Sequence, residues 1–177
     1  MLARKIITLL LYEATADLPV TRGRVQTPLT EADAISMDHE VVAIPVLRSG
    51  LGILGPVLEL LPRVSVGYIG LERDEETAVA RIYYKKLPSM EGKVPLLLDP
   101  MLATGGSMAH TIGLLHSRNA VDITAVCVVV APEGIAALEK VAPDLRLFTA
   151  AIDEQLNDIA YIVPGLGDAG DRQFGPR

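Results

Sequence analysis

The sequence predicts an α/β fold in which a central parallel sheet carries helices on both faces. Three observations lead there. Apolar runs alternate with helix-length segments from Val41 to Ile152. Those runs are continuous rather than alternating, as in strands buried on both faces. Two of them end in small-residue loops that turn into a helix. At 177 residues the chain has the length of one domain, and such a domain buries about 70% of its unfolded surface. One domain over residues 1–177 is therefore expected.

Composition excludes several classes. Half of the residues (50%) are hydrophobic, yet runs such as Ile6 to Leu11 and Ala125 to Pro132 fall far short of the ~20 residues needed to cross a bilayer. No membrane partner is expected. The N-terminal MLARKIITLLLYEA lacks a small-residue cleavage pattern, which points to a cytoplasmic location. A net charge of −6, a pI near 5.0 and the want of any block of five basic residues argue against nucleic acid. Cys127, the one cysteine, lies in the apolar run AVCVVV and reads as a buried thiol; alone it can form neither an internal disulfide nor a thiolate zinc site. His39, His110 and His116 have no metal-ligand spacing.

Taken in order, residues 2–16 read as a helix with Leu2, Ile6, Leu9 and Leu10 on one face, while Ile7 and Leu11 widen the stripe and imply a second apolar partner. Pro19 to His39 alternates weakly and is punctuated by Gly23 and Pro28, so a peripheral strand and loop are expected. Val41 to Leu47 is a strand leading through Arg48-Ser49-Gly50 into a helix near Leu51 to Leu61. Pro45 within it argues for an edge position or a bulge. The small residues Ser49 and Gly50 let a diphosphate approach backbone N–H groups while the Arg48 guanidinium forks onto its oxygens, although an arginine at a strand end is by itself more often a surface charge.

Val64 to Leu71 is a third strand, followed by a charged run from Glu72. The segment Ala78 to Leu87, with Arg81, Tyr83 and Tyr84, reads as a hairpin or long flexible loop, so residues 73–87 form a candidate lid. Asp74 to Glu76 alone read as a solvated charge run.

The most informative stretch runs from Val94 to Leu115. An apolar strand, Val94 to Leu98, is closed by Asp99, and Ala103-Thr104-Gly105-Gly106-Ser107 then turns into a helix from about Met108. Backbone N–H groups at a first helical turn, glycines that admit a ligand to the main chain and the Thr104 and Ser107 hydroxyls suit a phosphate monoester. The Asp99 carboxylate just upstream suits ribose hydroxyls, directly or through Mg²⁺. The loop is not a nucleoside-triphosphate loop, because Gly-Lys-Ser/Thr is missing. Asp122 to Val130, a helix opened by Pro132 and a strand from Leu145 to Ile152 complete the alternation.

Near the C-terminus, Gly165-x-Gly167-x-x-Gly170 has the letters of a dinucleotide fingerprint. That motif must open a helix inside a βαβ unit, and too little chain follows Gly170. The glycines are read instead as an exposed loop whose backbone serves a ligand.

Five strings resemble one family. DPMLATGGS, Asp99 to Ser107, resembles the phosphoribosyl diphosphate (PRPP) loop of the phosphoribosyltransferases in the form used by their uracil branch, where Asp99-Pro100 replaces a pair of acids. PVLRSG resembles the diphosphate loop, RDEET with YYKKLP the mobile loop, and YIVPGLGDAGDR the uracil loop. The resemblance spans Leu9 to Gly175 and implies transfer of phosphoribose from PRPP to uracil N1, giving UMP and diphosphate in pyrimidine salvage.

It further implies catalytic roles for Arg73, Asp99 and Asp168. PRPP contacts fall to Arg48, Arg73, Asp99, Pro100, Met101, Leu102, Ala103, Thr104, Gly105, Gly106, Ser107 and Asp168. Uracil contacts fall to the main chain of Ile162, Gly167 and Ala169, with Asp168 reaching the reacting region. The cofactor is Mg²⁺, held mainly by PRPP with Asp99 as the protein group able to join it, rather than by a dedicated protein site. Also implied are a homodimer or higher homo-oligomer involving the first helix, GTP as an activator, and a hood made of residues 1–28 and 153–177. A non-catalytic PRPP- or UMP-binding regulator is the alternative.

Departures from the family pattern are Ser49 in place of alanine, Glu72 in place of an aromatic or apolar residue, a proline-free Ala78 to Ile82, and no N-terminal His-Pro-Leu-Val arm. Uracil presents acceptor, donor and acceptor along one edge, which two N–H groups flanking one C=O complement. Cytosine reverses two of the three, and each buried mismatch costs about 1–3 kcal/mol.

Overall fold

The computed structural model describes residues 2–73 and 80–176, with Arg73 and Ala80 described by backbone alone. Helix α1, Leu2–Thr15, buries Ile7, Leu11 and Ala14 and leaves Leu2, Leu9 and Tyr12 exposed. The buried stripe is thus the far edge of the wide apolar face, not the Leu2, Ile6, Leu9, Leu10 row. Strands β1, Val20–Gln26, and β2, Glu31–Met37, pair antiparallel from Val20 opposite Met37 to Gln26 opposite Glu31. The expected strand and loop is therefore a hairpin. It alternates weakly because every β1 residue is exposed, so no inward face selects apolar residues.

Next come β3, Glu40–Leu47, α2, Leu51–Leu60, and the short β4, Ser65–Val66, followed by β5, Tyr68–Arg73, and β6, Ala80–Lys86. After them lie β7, Lys93–Leu98, β8, Met101–Leu102, and α3, Gly106–His116. The alternation continues with β9, Thr124–Val130, α4, Pro132–Val141, and β10, Arg146–Ile152. The chain closes with β11, Gln155–Leu156, β12, Ile162–Val163, and α5, Ala169–Phe174.

The main sheet runs β10-β9-β7-β3-β5-β6. Its strands are parallel from β10 to β5, and β6 folds back antiparallel on β5. One face packs Met108, Ile112 and Leu115 of α3 and Leu138 of α4 against Val42, Ile44 and Leu97. The other packs Ile7, Leu11, Ile53 and Val57 of α1 and α2 against Val41, Ala43, Leu96 and Val126. Helices cover both faces, as expected, and the apolar runs read as strands because they are buried on both sides.

Pro45 corrects the edge expectation. β3 is a central strand, with Pro45 opposite Leu98 of β7. On its other side β3 pairs with β4 at Val42 and Ala43 and with β5 at Val46 and Leu47. The Ala43 carbonyl accepts from Gly67, the residue between those two strands, at 2.9 Å. In a parallel strand residues two apart direct their backbone groups to the same side, so Pro45 turns its hydrogen-free nitrogen towards that break in the ladder. The donor that proline lacks falls at that break.

The chain proceeds from β3 to β5 on one side and then returns to β7 on the other. The carboxyl ends of β3 and β7 therefore bracket a topological switch point, where ligands bind in open α/β sheets.

Candidate active site

The loops after β3 and β7 meet at that switch point. Asp99 directly follows β7 and is only 9% exposed. Its Oδ1 accepts a hydrogen bond from Ser49 Oγ at 2.9 Å and from the Met101 N–H at 3.5 Å. Burial pushes its carboxyl up to about 7; the Ser49 and Met101 hydrogen bonds oppose the rise and the nearby Asp168 charge adds to it. Gly50 lets the two loops approach, since a methyl there would lie 2.4 Å from the Leu98 carbonyl oxygen.

A carboxyl that ionises near 7 in the native chain and near 3.9 when unfolded binds more protons folded than unfolded between those values. Stability of the ligand-free protein therefore falls as pH rises from about 4 to about 7 through this group. Asp99→Asn is expected to flatten that dependence and to leave the protein more stable than the parent at pH 8. Urea denaturation at pH 5 and pH 8 measures it.

Beyond Asp99 the chain does not run as an open loop. Met101 and Leu102 form β8, paired with Val129 and Val130, and α3 begins at Gly106, two residues earlier than its apolar pattern indicates. Gly105 has φ +80, and that left-handed residue lets α3 start directly above the strand. The Gly106 N–H points at Thr104 Oγ1, 3.5 Å away. A cavity of about 110 Å³ is lined by Asp99, Met101 and the run from Leu102 to Met108. Backbone N–H groups at a helix N-terminus such as that of α3 suit an anion. Gly134 at the start of α4 abuts this loop, because a methyl on it would lie 2.4 Å from the Ala103 carbonyl oxygen.

Arg48, after β3, pairs with Asp171 of α5, Nη2 to Oδ1, at 2.7 Å, and Nη1 reaches the Gly175 carbonyl at 3.5 Å. Gln173 Nε2 also donates to the Ser49 carbonyl at 3.3 Å. Arg48 is thus not a free surface charge. Asp168 caps α5 by accepting from the Asp171 N–H at 2.8 Å, and a methyl at Gly170 would lie 3.1 Å from Asp168 Oδ1 and 3.6 Å from Arg48 Nη2. Arg48, Asp99 and Asp168 are therefore brought together, with Ser49 and Gly170 between them. The C-terminal glycine string is not all loop: its last part is the six-residue helix α5, too short to support a dinucleotide reading.

The remaining segment, 155–168, forms the small hairpin β11–β12 and a turn in which the Val163–Pro164 peptide is cis. The Asn157 N–H donates to the Tyr161 carbonyl at 2.8 Å. Leu156 and Ile162 are consequently the non-hydrogen-bonded pair, so the Ile162 N–H and C=O turn away from β11. A cavity of about 150 Å³ is lined there by Met101, Ala103, Ile159 to Ile162, Gly167 and Asp168; a volume of that order accepts one six-membered ring. It shares Met101 and Ala103 with the anion cavity. Ala169 lies just beyond, buried at the start of α5.

Arg73 ends β5, its backbone paired with Ala80, but its side chain and residues 74–79 of the candidate lid lie outside the described residues. Within 80–86 the lid is strand β6. Among the described residues no three His, Cys, Asp or Glu side chains gather as a metal cage. A Mg²⁺ ion would take ligand oxygens as its main donors, with Asp99 the acid that lines the anion cavity among the described residues. Cys127 is buried beneath the site, with its thiol pushed well above its ordinary value by burial.

Local spacing could not reveal Ser49 as the donor to Asp99 or Asp171 as the partner of Arg48, since they lie 50 and 123 residues from those partners.

Comparison with known proteins bears on the site as a whole. The family model described as uracil phosphoribosyltransferase matches residues 1–176. A uracil phosphoribosyltransferase of Corynebacterium efficiens is 49% identical over 170 residues, 96% of this chain and 81% of that relative. One from Malacoplasma penetrans is 45% identical over 175 residues, 98% of this chain and 85% of its own. Among solved structures, the AQ2163 protein of Aquifex aeolicus superposes with a TM-score of 0.93 at 36% identity, covering 98% of this chain and 84% of its own. A hypoxanthine phosphoribosyltransferase of Staphylococcus aureus has a TM-score of 0.59 at 17% identity, covering 86% of this chain and 74% of its own, a likeness of fold alone.

Proposed function

Because the chain belongs to the uracil phosphoribosyltransferase family, we propose that it transfers the phosphoribosyl group of PRPP to uracil N1, yielding UMP and diphosphate. The observation that carries this reading is the pair of adjoining cavities. One lies on the Asp99 to Ser107 loop and the other on the 159–168 loop, and they share Met101 and Ala103. That spacing suits a 5′-phosphate and a base of one nucleotide.

In the reaction the N1–C1′ bond forms as the C1′–O bond to diphosphate breaks. The electron pair leaves with diphosphate and uracil gives up its N1 proton. Positive charge grows on the ribose and negative charge on the leaving group. Arg48 is the guanidinium available to the leaving group, and a donor pre-oriented there acts most strongly where charge develops. The Thr104 to Ser107 backbone holds the 5′-phosphate, and this remote binding orients C1′. Asp168, lining the base cavity, offers a carboxylate for the N1 proton, while Asp99 accepts from ribose hydroxyls. Arg73, assigned on family likeness, joins Arg48 at the diphosphate. Mg²⁺, when bound, neutralises diphosphate charge.

Closure of residues 73–87, beneath a hood of residues 1–28 and 153–177, excludes water that would hydrolyse PRPP. Exposed Leu2, Leu9 and Tyr12 on α1 support a homodimer or higher homo-oligomer, because apolar side chains grouped on one helix mark a contact surface. Size-exclusion chromatography with light scattering should therefore give at least twice the 18.9 kDa chain mass. The reduced, buried Cys127 supports a cytoplasmic setting. GTP activation rests on family likeness and is tested by adding GTP to the assay.

The test is labelled uracil with PRPP and Mg²⁺. Equal amounts of UMP and diphosphate are expected. PRPP binding without UMP would instead favour a regulator.

A further inference from the structure

We propose that Asn157 and Asp153, neither of which lines the base cavity, are positioning residues that fix the cavity's main-chain donors and acceptors; this rests on the uracil-transferase reading above. Asn157 Oδ1 accepts from the Tyr161 N–H at 2.8 Å and the Ile159 N–H at 3.2 Å. Its own backbone closes the same loop, the N–H donating to Tyr161 O and the C=O accepting from the Ala160 N–H, each at 2.8 Å. One residue, through side chain and backbone together, therefore gathers Ile159, Ala160 and Tyr161, which line one wall of the base cavity. Within that wall Ala160 has φ +61, a left-handed conformation that a residue with a Cβ adopts only when its surroundings impose it.

Asp153 secures the opposite side. Its Oδ2 accepts from the Gly165 N–H at 2.8 Å, pinning the turn that leads to Gly167 and Asp168. Asp153 is itself anchored to the sheet, its N–H donating to the Val130 carbonyl at 2.9 Å. Val130 pairs with Leu102 of the phosphate loop. Glu133 of α4 adds a third tie, accepting from the Leu156 N–H at 2.9 Å. Leu156, Ile162 and Leu166 pack the base loop against Val129 and Ala131, and carboxylate and amide oxygens consume its N–H groups at defined places. Those not consumed, such as the outward-facing Ile162 N–H and C=O, are left for the base.

These ties act on base recognition and not on the phosphate cradle, so the effect must divide between the two substrates. Asn157→Ala and Asp153→Ala are each expected to raise KM for uracil about tenfold, the scale of one or two lost hydrogen bonds. KM for PRPP should stay within about twofold. Asn157→Asp and Asp153→Asn, which retain an acceptor oxygen, are expected to recover most of the loss. Steady-state kinetics of UMP formation with each substrate varied supplies all four comparisons. PRPP-induced stabilisation against heat reports in parallel that each variant is folded. Equal rises in both KM values, unchanged uracil KM, or acceptor-retaining variants as impaired as alanine would each overturn the proposal. A parent protein that makes no UMP would instead refute the underlying transferase reading.

Discussion

Arg48→Ala is expected to lower UMP formation by roughly 10²–10³-fold, the loss found when one pre-oriented donor to a developing charge is removed. Asp171 and the Gly175 carbonyl hold the two terminal nitrogens of Arg48, which restricts the guanidinium before any ligand arrives. Lysine should not restore activity, since a point charge cannot reproduce two parallel N–H donors. The fold should tolerate the change. The Arg48–Asp171 pair is partly exposed, with side-chain accessibilities of 32% and 42%, and a pair so open to solvent contributes about 1 kcal/mol or less. Initial rates at saturating uracil, beside a thermal melt that moves by only a few degrees, separate a chemical role from an architectural one. A variant with near-parental rates would remove Arg48 from the diphosphate site.

Gly165→Ala is expected to cut kcat/KM for uracil by roughly 100-fold, because a 1 Å misplacement of a positioned substrate costs that much. Two causes coincide at this residue. Its φ is +56, and an added methyl would lie 2.0 Å from the carbonyl oxygen of Ile162, a residue that lines the proposed base cavity. The turn must open, and Ile162 must move with it. Gly92, in the turn before β7, is the internal control: its φ is +67, but an added methyl meets nothing within 4 Å. Gly92→Ala therefore carries only the left-handed penalty of about 1–2 kcal/mol, and its kinetic loss should be much smaller. Isothermal titration with PRPP should show near-parental affinity for both variants. Equal losses at the two glycines would mean that the Ile162 contact is unimportant.

These two substitutions fall on opposite sides of what the sequence makes legible. Buried parallel strands leave an unmistakable signal, and Val41 to Leu47, Val94 to Leu98 and Asp122 to Val130 all contain a strand of the central sheet. The phosphate loop is equally local, because its strand, Asp99, glycines and helix N-terminus are contiguous. What depends on neighbours is not legible. Pro45 reads as an edge or bulge residue because the break in pairing that accommodates it lies at Gly67, between two other strands. The 20–37 hairpin has little alternation because neither of its strands is buried. Helix α5 is too short for periodicity to emerge. Its Asp171 gains meaning only once the fold brings Arg48 beside it. Ser49 likewise reads as a small residue for close approach, whereas its hydroxyl is committed to Asp99.

The electrostatic consequence of that commitment extends to ligand binding. Asp99 and Asp168 repel one another in the ligand-free protein, and burial opposes the charge on Asp99. A cationic or hydroxyl-bearing ligand relieves this, so PRPP with Mg²⁺ should bind with net release of protons near pH 7.

The most direct measurement is a crystal structure of the protein with UMP. The phosphate is expected at the backbone N–H groups of Thr104 to Ser107, the ribose hydroxyls beside Asp99, and the uracil ring against Ile162, Gly167 and Ala169. UMP bound with its base away from the 159–168 loop, or its phosphate away from the α3 N-terminus, would contradict the assignment of the two adjoining cavities to one nucleotide.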